Sequence, residues 1–165
     1  MPVQALRLEG GRGSFVSGDP TGDTLRVAYF RDSGGLLVGR VWFGPGALGP
    51  PGHAHGGSMA AVLDEAMGAA VWMHDRPAVA VNLNTDFRCM LPLGTDAYLE
   101  ARIEKIDGRK VFTRGRLHDG GDTVFCEATG IFLHLEPGRD REILGKVARA
   151  LGVPEGELLG RPRLP

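Results

Sequence analysis

The sequence predicts an α+β fold, with one antiparallel sheet and one long central helix. Three observations point there. The chain holds 26 glycines and 11 prolines, and these breakers fall in clusters that cut it into short segments. One stretch, Ser58 to His74, is rich in Ala, Met and Leu and contains no proline. After Pro77 the apolar period changes from helical to alternating, and no helix separates the strands that follow. A parallel doubly wound sheet would need such helices.

The elements follow in order. Asp19-Pro20-Thr21-Gly22-Asp23 is a turn, and Thr24 to Phe30 a strand. Asp32-Ser33-Gly34-Gly35 has hairpin composition and leads into a second strand, Leu36 to Phe43. A Gly/Pro-rich stretch, Gly44 to Gly52, ends at His53-Ala54-His55-Gly56-Gly57. The helix follows, with Gly57 or Ser58 expected as its N-cap. Val79, Val81, Leu83, Thr85 and Phe87 then share one face of a strand, and Ala80, Asn82, Asn84, Asp86 and Arg88 the other. Pro92-Leu93-Gly94 ends it. Asp96 to Ile106 alternates again, with Ala97, Leu99, Ala101 and Ile103 inward. Tight turns at Asp107-Gly108 and Asp119–Asp122 separate it from strands Lys110 to His118 and Thr123 to Leu135. Ile143, Leu144, Val147, Ala148 and Leu151 recur at helical spacing, so a short amphipathic helix is expected before a loose tail. The chain divides into an N-terminal extension (1–23), one body (24–136) and a C-terminal helix with its tail (137–165).

Composition narrows the function. A chain of 165 residues fits one domain with a self-sufficient core. Its formal net charge of −1 argues against a dedicated nucleic-acid binder. A local Arg/Lys cluster would still suit a phosphate-bearing small ligand. Two cysteines, Cys89 and Cys126, exclude a disulfide scaffold and are expected to be buried core filling. Met1 to Gly10 shows no apolar signal-peptide core, and no apolar run reaches the ~18 residues of a membrane span. The expectation is a soluble, reduced, cytoplasmic protein without membrane association.

The helix carries the chemistry. Between Ser58 and Met73 only Asp64 and Glu65 are charged, and nearly every other position is apolar on all sides. Such a helix is expected to be buried all round. A carboxylate there loses hydration and becomes a candidate general base or nucleophile. Gly56-Gly57 leaves the backbone N–H groups and positive end of the helix open, as a developing oxyanion requires. These two halves lie eight positions apart, ~12 Å along one helix. One carbonyl cannot touch both. If they cooperate, a second copy supplies one of them, with the two central helices running past each other in opposite senses. The small residues Ala60, Ala61, Gly68, Ala69 and Ala70 suit that close approach.

At these residues the chain resembles the hotdog-fold acyl-CoA thioesterases, in particular the PaaI-type group and its mitochondrial relatives. The resemblance rests on Gly49-Pro50-Pro51-Gly52-His53-Ala54-His55-Gly56-Gly57, on Asp64 nine residues after His55, on Asn82-Leu83-Asn84 and on Leu91-Pro92-Leu93-Gly94. It covers roughly Leu36 to Leu135. It implies a curved sheet wrapped around the helix, homodimers formed by sheet pairing that often pair again into tetramers, and hydrolysis of an acyl-CoA thioester. The Gly56 amide would polarise the carbonyl, with Gly57 a second donor. Asp64 would activate water or attack directly, and His55 would orient the loop. Ala80 stands where that group often carries Thr, so Ser58 or Thr85 would have to supply a hydroxyl. Glu65, directly after Asp64, competes for the catalytic role.

CoA phosphates call for basic residues near the mouth of the site, and Arg88, Arg109, Lys110, Arg114 and Arg116 are candidates. Asn82 and Asn84 are candidates for lining the acyl or pantetheine channel. His53-Ala54-His55 lacks the further ligands zinc needs, so no metal is expected, nor any cofactor beyond the CoA of the substrate. Gly10-Gly11-Arg12-Gly13 follows no strand and opens no helix, and so is no nucleotide fingerprint. Two rival readings remain: a hydratase or dehydratase on the same fold, and a non-catalytic acyl-CoA binding module.

Overall fold

The computed structural model of the chain describes residues 6–8 and 13–154. The expectations for Met1–Gly10 beyond the strand at 6–8, for Gly10-Gly11-Arg12, for the Leu151 side chain and for the tail past Pro154 lie outside the described residues. Among the described residues, seven strands form one antiparallel sheet: β1 (Leu6–Leu8), β2 (Leu25–Arg31), β3 (Leu37–Phe43), β4 (Ala78–Phe87), β5 (Asp96–Asp107), β6 (Lys110–His118) and β7 (Val124–His134). Their order is β1-β2-β3-β5-β6-β7-β4. The helix α1 (Gly56–Trp72) packs on one face, and α2 (Arg141–Leu151) follows the last strand. The α+β expectation and its antiparallel sheet therefore hold. The sequence reading had no strand at Leu6–Leu8, which pairs with β2 from Leu6↔Arg31 to Leu8↔Tyr29.

Alternation in the strands builds the core. Ala97, Leu99 and Ala101 on β5, and Val111, Thr113 and Leu117 on β6, point inward under α1. Thr113 satisfies its hydroxyl by donating to the Gly130 carbonyl oxygen. Glycine lets the helix settle close to the sheet. A Cβ at Gly115 would come within 3.2 Å of Leu63 Cδ2, and one at Gly130 within 3.2 Å of Met67 Cε.

Three expectations are corrected. First, α1 begins at Gly56 and its N-cap is His55, not Gly57 or Ser58, because the imidazole of His55 takes over the capping bond. Second, α1 is buried along one face only, through Met59, Val62, Leu63, Ala66, Met67, Ala70 and Val71. Ala60, Ala61, Asp64, Glu65, Gly68 and Ala69 on the other side stay partly open, because a one-layer sheet covers one side of a helix. Third, Cys126 is buried but Cys89 is exposed, because the chain has left the sheet after Phe87.

The last strand in spatial order, β4, departs from simple alternation. It pairs with β7 on one side only, and its register slips between Ala80 and Asn82. Val79, Val81, Leu83 and Phe87 are all exposed, and so is Met90 just beyond. An apolar row on a free sheet edge is a surface that solvated proteins ordinarily avoid.

Candidate active site

The Gly/Pro-rich stretch is an ordered support for the helix entrance. The His55 N–H donates to the Ala47 carbonyl (2.8 Å), the Gly49 N–H to the His53 carbonyl (2.9 Å) and the Ala54 N–H to the Leu91 carbonyl (2.8 Å). These bonds tie the segment to the turn after β4 and hold His55 in extended geometry (φ −65°, ψ 135°). From there its Nδ1 accepts the Gly57 N–H at 2.9 Å, while the Ser58 N–H and hydroxyl both donate to the His55 carbonyl. His55 thus orients the loop as a cap.

This cap sorts the amides at the entrance. The Gly57 N–H is spent on His55, and the Ser58 hydroxyl is no longer free to replace a missing threonine. The Gly56 N–H donates to no group among the described residues. It is the free donor at the positive end of α1. The Phe87 ring lies against Gly56, where an added Cβ would approach Phe87 Cζ to 3.1 Å.

The two adjacent carboxylates have different surroundings. Glu65 accepts hydrogen bonds from the Tyr29 hydroxyl (2.9 Å) and from the Ser14 hydroxyl. Asp64 Oδ1 is buried and has no hydrogen-bond partner among the described residues. Burial, followed by the nearby charge of Glu65, pushes the Asp64 carboxyl above the usual carboxylate range. A buried carboxylate oxygen of this kind is open to accept a hydrogen bond. Asp64 and Gly56 lie eight positions apart on the continuous helix α1, ~12 Å along its axis, so one chain does not bring them to one point.

The proposed CoA-side residues are spread along the sheet. Asn82 and Asn84 are exposed on β4, and Asn84 Nδ2 donates to Asn82 Oδ1 at 3.0 Å. Arg88 pairs with Glu127 (3.2 Å), Arg114 with Glu104 (2.8 Å) and Arg116 with Glu100 (3.0 Å). Arg109 donates to the His134 carbonyl (3.1 Å) and forms an ion pair with Asp140, which fastens the chain before α2 to the sheet. Lys110 is exposed at the start of β6, opposite Leu133. Arg88 sits near Cys126 at the other end of β7, seven positions or ~23 Å away. The basic candidates therefore do not form one cluster within the chain. The sequence reading missed Tyr29 and Ser14, since a lone Tyr on a strand and a Ser in a loop carry no local signal.

Comparison with known proteins follows the same elements. Residues 51–126 match the family described as Thioesterase superfamily. Acyl-coenzyme A thioesterase THEM4 of Xenopus laevis is 37% identical over 95 residues, spanning 57% of this chain and 43% of that protein. Acyl-coenzyme A thioesterase THEM5 of Mus musculus is 34% identical over 112 residues, spanning 67% of this chain and 45% of that protein. The chain thus spans less than half the length of these curated relatives. A crystal structure described as a thioesterase superfamily protein superposes with a TM-score of 0.67 at 28% identity, covering 74% of this chain and 60% of that one. The match takes in the Gly56 amide, Asp64 and the edge strand β4, on a curved antiparallel sheet carrying one main helix: the fold is the hotdog fold of these structures, and residues 51–126 are similar to the thioesterase superfamily.

Proposed function

We propose that the chain hydrolyses acyl-CoA thioesters, in sites shared between two copies. The observation that carries this reading is Asp64 Oδ1, a buried oxygen without a partner among the described residues, on the helix whose entrance holds a free Gly56 amide. The names of the curated relatives support the substrate class.

In this reading two copies pair along β4, whose exposed Val79, Val81, Leu83 and Phe87 become buried, and the open small-residue side of α1 faces its counterpart. The Gly56 of one copy then faces the Asp64 of the other. The thioester carbonyl oxygen receives the Gly56 N–H as negative charge develops on it. Asp64 takes a proton from water as the water oxygen bonds to the carbonyl carbon, or attacks that carbon itself, in which case water afterwards hydrolyses the acyl–Asp64 anhydride to the acid and the free carboxylate. The carbon–sulfur bond breaks, and the sulfur leaves with CoA as thiolate or, taking a proton, as thiol. This chemistry calls for no metal or redox cofactor. A pair of such dimers would make the tetramer the family resemblance implies. PaaI-type grouping and a cytoplasmic setting belong to the same proposal, in keeping with the unpaired Cys89 and Cys126.

Asn82, Asn84, Arg88, Lys110 and Arg114 are the proposed contacts toward CoA. Head-to-tail pairing brings the far end of one sheet near the helix entrance of the other. Arg109 would have to release Asp140 to join them.

The test is thiol release from a panel of aryl, short, medium and long acyl-CoAs, with wild type and Asp64→Asn side by side. A wild type that releases CoA and a variant that loses roughly 100-fold or more support the reading. A product with the thioester intact points to a hydratase. Binding without turnover, unchanged by the substitution, points to a binding module.

A further inference from the structure

Glu65 is the one charged neighbour of Asp64 on α1, and two segments fix it. Tyr29 reaches it from β2, with its ring almost fully buried and its hydroxyl on Oε1 at 2.9 Å. Ser14 reaches it from the turn at residues 13–18 and donates to Oε2. That turn is itself organised. The Val16 and Ser17 N–H groups approach the Ser14 hydroxyl oxygen at 3.2 and 3.3 Å, and the Gly18 N–H donates to the Ser14 carbonyl at 3.0 Å. With its oxygen accepting from both amides, the Ser14 hydroxyl has its proton free for Glu65. Val16, two residues on, is buried in the core and anchors the turn against the body of the fold.

We propose that Glu65, clamped by Tyr29 and Ser14, is a positioning residue for Asp64, holding a fixed negative charge beside the base while its own oxygens are kept out of the chemistry. The inference rests on the reading of Asp64 as the base. One oxygen of Glu65 takes the Tyr29 hydroxyl and the other takes that of Ser14, whereas the buried Asp64 oxygen takes none. The N-terminal extension thereby becomes part of the working site.

The groups acting on Asp64 are few. Glu65 shares its helix, and Tyr29 on β2, bonded to Glu65, lies within electrostatic reach of Asp64. Burial, and then the charge of Glu65, raises the Tyr29 phenol well above its ordinary value, so it stays a donor throughout the working range. The inward positions of β5 and β6 named above carry no ionisable side chain. Cys126 on β7 is held neutral, its thiol pushed up to about 12 by burial and then by Asp86 and Glu127.

The experiment combines rate against pH with carbon-13 detection of the Asp64 carboxyl, assigned by its loss in Asp64→Asn. Glu65→Gln keeps the shape and removes the charge. It is expected to move the acid limb of kcat/KM, and the Asp64 titration midpoint, down by roughly half a pH unit or more. Ser14→Ala combined with Tyr29→Phe keeps the charge and removes the clamp. It is expected to lower kcat roughly tenfold or more with little change in KM, and Ser14→Thr in place of Ser14→Ala should recover part of the loss. An unmoved Asp64 midpoint in Glu65→Gln, or wild-type kcat in the unclamped variant, overturns the inference. A midpoint that moves while Asp64→Asn still releases thiol upholds the charge effect and removes Asp64 from the base role, so the two readings fail separately.

Discussion

Asp64 and Glu65 are neighbours in sequence with opposite hydrogen-bonding positions: among the described residues, Glu65 receives two hydroxyls and the buried oxygen of Asp64 receives none. Neighbouring residues on a helix point ~100° apart, so one turns toward β2 and the N-terminal turn while the other does not. This difference separates the two carboxylates that the sequence leaves in competition.

Stability against pH follows from it. The folded Asp64 carboxyl holds its proton more tightly than in the unfolded chain, through burial and then Glu65. Ionised Asp64 therefore costs stability. The cost is fully present above its folded pKa and disappears as pH falls from there through the unfolded value. Asp64→Asn should accordingly gain on wild type in Tm at neutral pH, with the gain shrinking as pH falls through that window. A Tm difference that is flat with pH would contradict the assignment.

Gly56 should be required for its free amide and not for helix stability. A side chain there presses on the Phe87 ring at 3.1 Å, while the first position of a helix tolerates most residues. Gly56→Val is expected to leave Tm within a few degrees of wild type and to lower thiol release at least tenfold. Mixing it with Asp64→Asn after joint unfolding and refolding should restore about a quarter of wild-type activity. Half of the dimers would be mixed, and each would hold one intact site of two. No recovery on mixing would mean that each site lies within one chain.

The free edge of β4 gives an independent check. Val81 is 57% exposed in the single chain, so Val81→Lys costs that chain little. In a paired edge the same lysine would be forced into an apolar contact. The variant is expected to sediment as a monomer and to lose thiol release. A monomer with full activity would overturn the two-copy site, and a persistent dimer would place the interface elsewhere.

Asp140 should matter for the C-terminal helix. It pairs with Arg109 and accepts the Glu136 N–H at 2.8 Å, largely shielded from water. Asp140→Ala is expected to lower stability by on the order of 1–2 kcal/mol, read from the urea midpoint, and to speed amide exchange in α2.

The sequence by itself determined the fold class, the long helix, the strands that pack on it and the spacing of eight positions between a helix-entrance glycine and a carboxylate on that helix. Those features are local. Composition and periodicity set helix and strand, and a constant rise per residue turns spacing into distance. The tertiary structure alone decided the rest. That His55 caps the helix, consuming the Gly57 amide and leaving that of Gly56 free, depends on the loop being pinned to Ala47 and Leu91. That β4 is an exposed edge depends on which strands pair, a long-range choice that alternation does not encode. That Glu65 is held and Asp64 is not depends on Ser14 and Tyr29, 51 and 36 positions away in the chain, arriving at one side of one helix turn. Hydrogen bonds between distant segments depend on side-chain geometry at a few tenths of an ångström, which only the packed chain supplies.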